Sequence, residues 1–173
     1  SLGFENVNAE QQRVDPHGFG GADNSHYCPS PGGTCVDTDY IAYGEGGVDD
    51  AEDADVILHE YGHAIQDDQV PGFGMFYETM AMGEGFCDYL AGSYSSAIDP
   101  FNEDWFAQWD NAGAGGRPGL RPLNSTKHYP EDLDALFNKY RDAEMWSACL
   151  WEIRTAYGRA VTDRLVIQSH FYL

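Results

Sequence analysis

The chain has 173 residues, 29 of them acidic and 9 basic, for a net charge of −20. That balance argues against nucleic acid and anionic membranes as partners, because both are held through clusters of Lys and Arg, and no apolar run reaches the length of a membrane span. The size suits one compact domain with a sizeable core. A strongly solvated secreted surface is the ordinary reading of the acidity, and adaptation to high salt is the sharper one.

Residues 1–50 read as irregular chain with short strands. Asn24-Ser25-His26-Tyr27 fits an edge strand or a plain turn. Cys28 and Cys35 then bracket a Pro- and Gly-rich stretch that a disulfide could close, in keeping with an exported protein. Asp37 and Asp39, and the run Asp49-Asp50 with Glu52-Asp53, are weak candidates for Ca2+; Asp49 to Asp55 equally suits the N-terminus of a helix. A helix is predicted over 51–66, carrying the apolar tract Ala54-Asp55-Val56-Ile57-Leu58 and stopped by Asp67, Asp68 and Pro71-Gly72. A second helix is predicted over 77–97.

Residues 98–130 form a long Gly-, Pro- and Trp-rich segment with little periodicity, of a length that is more often functional than idle. It is expected to line one wall of a cleft. Asn124-Ser125-Thr126 matches a glycosylation sequon. In 131–173, Trp146, Cys149, Leu150 and Ile153 recur at helical spacing as core positions would, and a last helix is expected from about Thr162. The fold expected is α+β in a single domain: a β-rich part (1–50), two site helices (51–97), the long loop (98–130) and a helical part (131–173). Cys87 and Cys149 fall on predicted helices, either paired across them or as free thiols. The start at Ser1 and the apolar end at Phe171-Tyr172-Leu173 read as a trimmed piece of a longer precursor.

The chemistry is concentrated in His59-Glu60-Tyr61-Gly62-His63. On a helix, positions i and i+4 lie on one face, so His59 and His63 can offer two imidazole nitrogens to one metal ion. Glu60 is placed to reach a water on that metal without ligating it. An open zinc site needs a third protein ligand, and Glu84 on the second helix is the candidate. Asp88 lies one turn further along the same face.

The tract Gly83-Glu84-Gly85-Phe86 followed by Asp88-Tyr89, together with His59-Glu60 and His63, resembles the gluzincin metallopeptidases. It is most similar to their fungalysin branch, with thermolysin more distant. Met82 to Ala91 resembles the fungalysin glutamate-ligand helix almost residue for residue. Ile41-Ala42-Tyr43-Gly44-Glu45-Gly46-Gly47 resembles the strand and glycine turn before the zinc helix. Glu144-Met145-Trp146 and Leu150-Trp151-Glu152-Ile153-Arg154 are similar to the fungalysin helix after the active site. The resemblance implies a thermolysin-like zincin core holding one catalytic Zn2+ on His59, His63 and Glu84. Glu60 is then the general base, Asp88 the hydrogen-bond partner of the far nitrogen of His59, and Asn24 and Ser25 the residues that hold an extended peptide.

Two positions depart from the family pattern. Its oxyanion-stabilising histidine corresponds to Tyr140 here, and its glycine before Glu144 is Ala143. A phenol can donate to an oxyanion, so Tyr140 is the candidate donor; the spacing of His128 and His170 recommends neither. Three functions are therefore weighed: a secreted zinc endopeptidase acting on peptide or protein, a zinc-binding scaffold that has lost the oxyanion donor, and a zinc enzyme acting on something other than peptide bonds.

Overall fold

In a computed structural model, which describes residues 10–29, 35, 37–111 and 114–173, the chain is a mixed α+β protein with four helices and a few short strands. Residues 30–34, which make most of the Cys28–Cys35 loop, lie outside the described residues. Strands β1 (Arg13–Asp15), β2 (His26–Cys28) and β3 (Tyr40–Ala42) form a sheet in the order β1-β3-β2, with β1 parallel and β2 antiparallel to β3. Cys28 and Cys35 are disulfide-bonded. Helices α1 (Ala54–Gln69) and α2 (Tyr77–Ser95) follow, then a small antiparallel pair β4 (Trp105–Phe106) and β5 (Arg121–Pro122). Helices α3 (Lys139–Tyr157) and α4 (Arg159–His170) complete the fold. Among the described residues no helix is long and apolar enough to cross a membrane.

The acidic run before α1 has a structural job. Asp49 accepts from the amide of Ala51 to cap a single 3-10 turn, and Asp53 accepts from Asp55 N at 2.7 Å to cap α1. Capping of this kind is worth about 1 kcal/mol. The cap places the start of α1 at Ala54, three residues after the expected start, and the helix runs on to Gln69, three residues past the expected stop. Asp67 and Asp68 therefore lie inside the last turn, and the chain turns at Gly72 in the left-handed region. Helix α4 also starts earlier than Thr162, because Gly158, at φ 84°, lets the chain leave α3 and begin α4 with no intervening linker.

Helix α2 is the centre of the molecule and packs against both α1 and α3. Phe86, Cys87, Tyr89 and Ala91 are fully buried along it; burying an aromatic side chain of this kind stabilises by about 1.5–3 kcal/mol. Three glycines let backbones approach. A methyl group on Gly62 of α1 would lie 3.0 Å from Cys87 Sγ, and one on Gly85 would lie 2.6 Å from the carbonyl oxygen of Ala143 on α3. One on Gly92 would run into Leu123. The buried face of α3 is accordingly Asp142, Ala143, Ser147, Ala148, Leu150 and Trp151. This corrects the expected core face: Leu150 is buried, but Trp146, Cys149 and Ile153 are exposed. The small residues at the crossing set the contact, not the large apolar ones. Helices α2 and α3 pack together, yet Cys87 and Cys149 are free thiols, the first buried and the second exposed.

His170 closes the far end of α1. Its Nδ1 lies 3.2 Å from Gln69 Oε1 and its Nε2 3.4 Å from the amide nitrogen of Gln66, with Phe86 packed edge-on to the ring. A neutral ring with the proton on Nδ1 satisfies both amides. Burial pushes its pKa down to about 4. In the unfolded chain the ring takes a proton near pH 6.5, so between about pH 6.5 and 4 the unfolded state binds more protons and acidification destabilises the fold. Replacing His170 by Gln is expected to flatten the loss of urea stability over that window relative to wild type. Gly85→Val is expected to cost 1–3 kcal/mol or more, by overpacking the α2–α3 crossing, read by the same urea titration.

Candidate metal centre

Helix α1 carries His59 and His63 on the face turned to α2, and α2 presents Glu84 to them. His59 Nε2 lies 3.1 Å and His63 Nε2 3.7 Å from Glu84 Oε2. Ligands at zinc–nitrogen and zinc–oxygen distances stand about 3.3 Å apart in a tetrahedron, so Glu84 Oε2 stands near donor spacing from each imidazole nitrogen. The two imidazoles meet edge to face, with ring centres 4.9 Å apart. His59 and Glu84 are buried, and His63 is partly open to a cleft.

The other nitrogen of His59, Nδ1, lies 2.8 Å from Asp88 Oδ1. The carboxylate and the ring form a buried ion-pair contact at that distance. Asp88 has no exposure to solvent. Its charge is sustained by Arg121, whose Nε and Nη2 each lie 2.6 Å from one carboxylate oxygen. Although burial favours the neutral acid, Arg121 first and His59 next hold Asp88 below the usual carboxylate range. Burial likewise opposes charge on His59, but Asp88 and Glu84 outweigh it and push the imidazole up to about 10. The same field that attracts a proton to this ring attracts a metal cation in its place.

Glu60 projects from α1 into the same cleft and is 95% removed from solvent on a relative exposure of 5%. Its Oε2 is buried and has no hydrogen-bond partner among the described residues. A buried carboxylate oxygen without a donor is costly, and a polar ligand group in the cleft would satisfy it. Cys87 is also within reach of His59 and His63. Its thiol is pushed well up by burial first and by Glu84 and Glu60 next, so it resists the thiolate form that a metal would need. Two imidazoles, a carboxylate and an unpartnered base fit a zinc ion better than any softer metal.

The cleft has a volume of about 720 Å³, and its lining includes Asn24, Ser25, His26 and Tyr27 together with Lys139 and Tyr140. Asn24 and Ser25 line the cleft just before β2, which lies at one margin of the sheet. Ser25 Oγ, however, donates to Asp50 at 2.5 Å, which leaves its backbone for contact with a ligand. Tyr140 faces the cleft from the first turn of α3, which Asn138 caps by accepting from the amides of Tyr140 and Arg141. His128 and His170 take no part in the cleft lining.

Two residues escaped the sequence reading. Arg121 comes from β5, paired with Phe106 of β4, and its guanidinium lies 4.6 Å from the Phe106 ring centre. The segment 98–130 therefore does line the cleft, through Phe106, Asp110, Leu120 and Arg121, and it also charges the site. Lys139 donates to Glu84 Oε1 at 2.6 Å. A lone Arg in a segment without periodicity gave no local signal; a lysine one residue before Tyr140, in a chain with one other lysine, was the available hint. Of the candidate calcium carboxylates, Asp37 pairs with Arg13 and Asp39 accepts from Tyr27. Asp50, another of those candidates, groups with Asp23 and Asp110 on the cleft wall. There burial first, then Asp50 and Asp23, pushes Asp110 up to about 6.

Comparison with protein families, with curated proteins and with solved structures finds no match.

Arg121→Met would strand the Asp88 carboxylate in the core. It is expected to destabilise the fold by about 3–5 kcal/mol in urea titration, whereas Arg121→Lys recovers part of that loss.

Proposed function

We propose that the chain is a zinc endopeptidase of gluzincin type, with a thermolysin-like catalytic core, that acts on extended peptide and works outside the cell. The observation that carries this reading is the partnerless, buried Glu60 oxygen beside three converging donors. His59 Nε2, His63 Nε2 and Glu84 Oε2 would hold the ion. When bound, zinc polarises a carbonyl and lowers the pKa of bound water to about 7. The disulfide at Cys28 supports an oxidising compartment.

The protein's own groups do the rest. Asp88 holds His59 in the tautomer with its proton on Nδ1, leaving Nε2 free as a ligand. The backbone around Ser25 pairs with the peptide by strand addition and carries its scissile carbonyl into the cleft. Glu60 takes a proton from the attacking water as its oxygen bonds to the carbonyl carbon. It delivers that proton to the nitrogen as the carbon–nitrogen bond breaks. Tyr140 donates a hydrogen bond from its hydroxyl to the carbonyl oxygen as charge gathers there and keeps its proton when the charge collapses.

With zinc bound in both proteins, Glu60→Gln is expected to lower hydrolysis of an unfolded protein about 10²–10⁴-fold. Equal inertness of wild type and variant on a broad peptide panel would leave a zinc-binding scaffold as the reading. Hydrolysis of a non-peptide ester or amide alone would favour a different zinc hydrolase. Tyr140→Phe is expected to reduce kcat about 10²-fold with little change in KM, measured by steady-state kinetics on the same peptides.

A further inference from the structure

We infer that Lys139 is a positioning residue for the metal centre, which restricts Glu84 to ligation through one oxygen; the inference rests on the zinc reading of the site. A carboxylate can ligate through one oxygen or both. Bidentate ligation by Glu84 would fill the coordination position that a catalytic site keeps open for water or a carbonyl. In this protein the two oxygens are already divided. Oε2 faces His59 and His63 at 3.1 and 3.7 Å, whereas Oε1 accepts from Lys139 Nζ at 2.6 Å. A charge-assisted bond of that length is among the stronger polar contacts a protein makes.

Lys139 is itself fixed from several sides. Its ammonium lies 4.7 Å from the centre of the Tyr140 ring, a cation–π contact. It occupies the first position of α3, whose backbone is locked by the Asn138 cap. Helix α3 in turn meets α2 at Gly85, the residue after Glu84, where no larger side chain fits against Ala143. The close crossing that delivers the lysine is thus next in sequence to the carboxylate it holds. One of only two lysines in a chain of net charge −20 is committed to this single oxygen. The same contact ties Glu84 to the turn that carries Tyr140, so ligand and proposed oxyanion donor keep a fixed relation.

Cobalt(II) substitution tests this without relying on turnover, because four-coordinate cobalt absorbs visible light far more strongly than five- or six-coordinate cobalt. The wild-type protein is expected to bind one cobalt with an intense visible band. Lys139→Met is expected to keep that stoichiometry while the band falls severalfold, as Oε1 joins the coordination shell. Lys139→Arg, which can still donate to Oε1, is expected to retain most of the band. If Lys139→Met keeps the wild-type spectrum and only loses stability to urea, Lys139 is a structural ion-pair partner and the inference fails. If wild type binds no stoichiometric cobalt, the zinc reading beneath it fails instead.

Discussion

Glu84 and Asp88 stand one turn apart on the same face of α2, both almost wholly removed from water. Two carboxylates so placed would repel each other and resist burial, at a cost of several kcal/mol each, unless cations meet them. The rest of the site answers that demand. Arg121 reaches Asp88 from β5, Lys139 reaches Glu84 from α3, and His59 stands between the two carboxylates with one ring nitrogen toward each. Four elements are pinned around one pair of negative charges.

The pinning depends on how closely the helices pass. Gly62 lets α1 settle on Cys87, and Gly85 lets α3 settle against α2 with Ala143 and Ser147 beneath it. A wider crossing would carry His59 and His63 away from Glu84 and lift Lys139 off Oε1. The glycines within the two motif tracts therefore help set the spacing of the candidate ligands, although none of them carries a reactive group. Glu60 breaks the general satisfaction of buried polar groups, as do His59 at Nδ1 and Arg154 at Nε; its second oxygen lies in the cleft and has no donor among the described residues. Buried polar atoms rarely go unpaired except where a ligand or a reaction supplies the partner.

Much of this centre was legible from local spacing. His59 and His63 at i and i+4, and Glu84 and Asp88 at i and i+4, each declare one helical face, and the acidic run before α1 announced its cap. The order of elements, with short strands leading into helices, followed from the same periodicities. What could not be read was set by tertiary contact. Arg121 sits on a strand of two residues in a segment without a repeating pattern, so nothing nearby marked it as the partner of Asp88. The buried face of α3 was misread because large apolar residues at helical spacing suggest a core, whereas close helix crossings select small ones such as Ala143 and Ser147. The end of α1 was misplaced because two aspartates and a following proline signal a stop that the helix reaches only at Gln69.

The central claim is that one metal ion is held by His59, His63 and Glu84 and by no sulfur. X-ray absorption at the zinc edge on zinc-loaded protein tests it most directly. The account requires one zinc per chain with nitrogen and oxygen neighbours at about 2.0–2.2 Å, imidazole scattering from two rings, and no sulfur shell. A sulfur neighbour at about 2.3 Å would place Cys87 in the coordination sphere and contradict it, as would zinc that fails to load in stoichiometric amount.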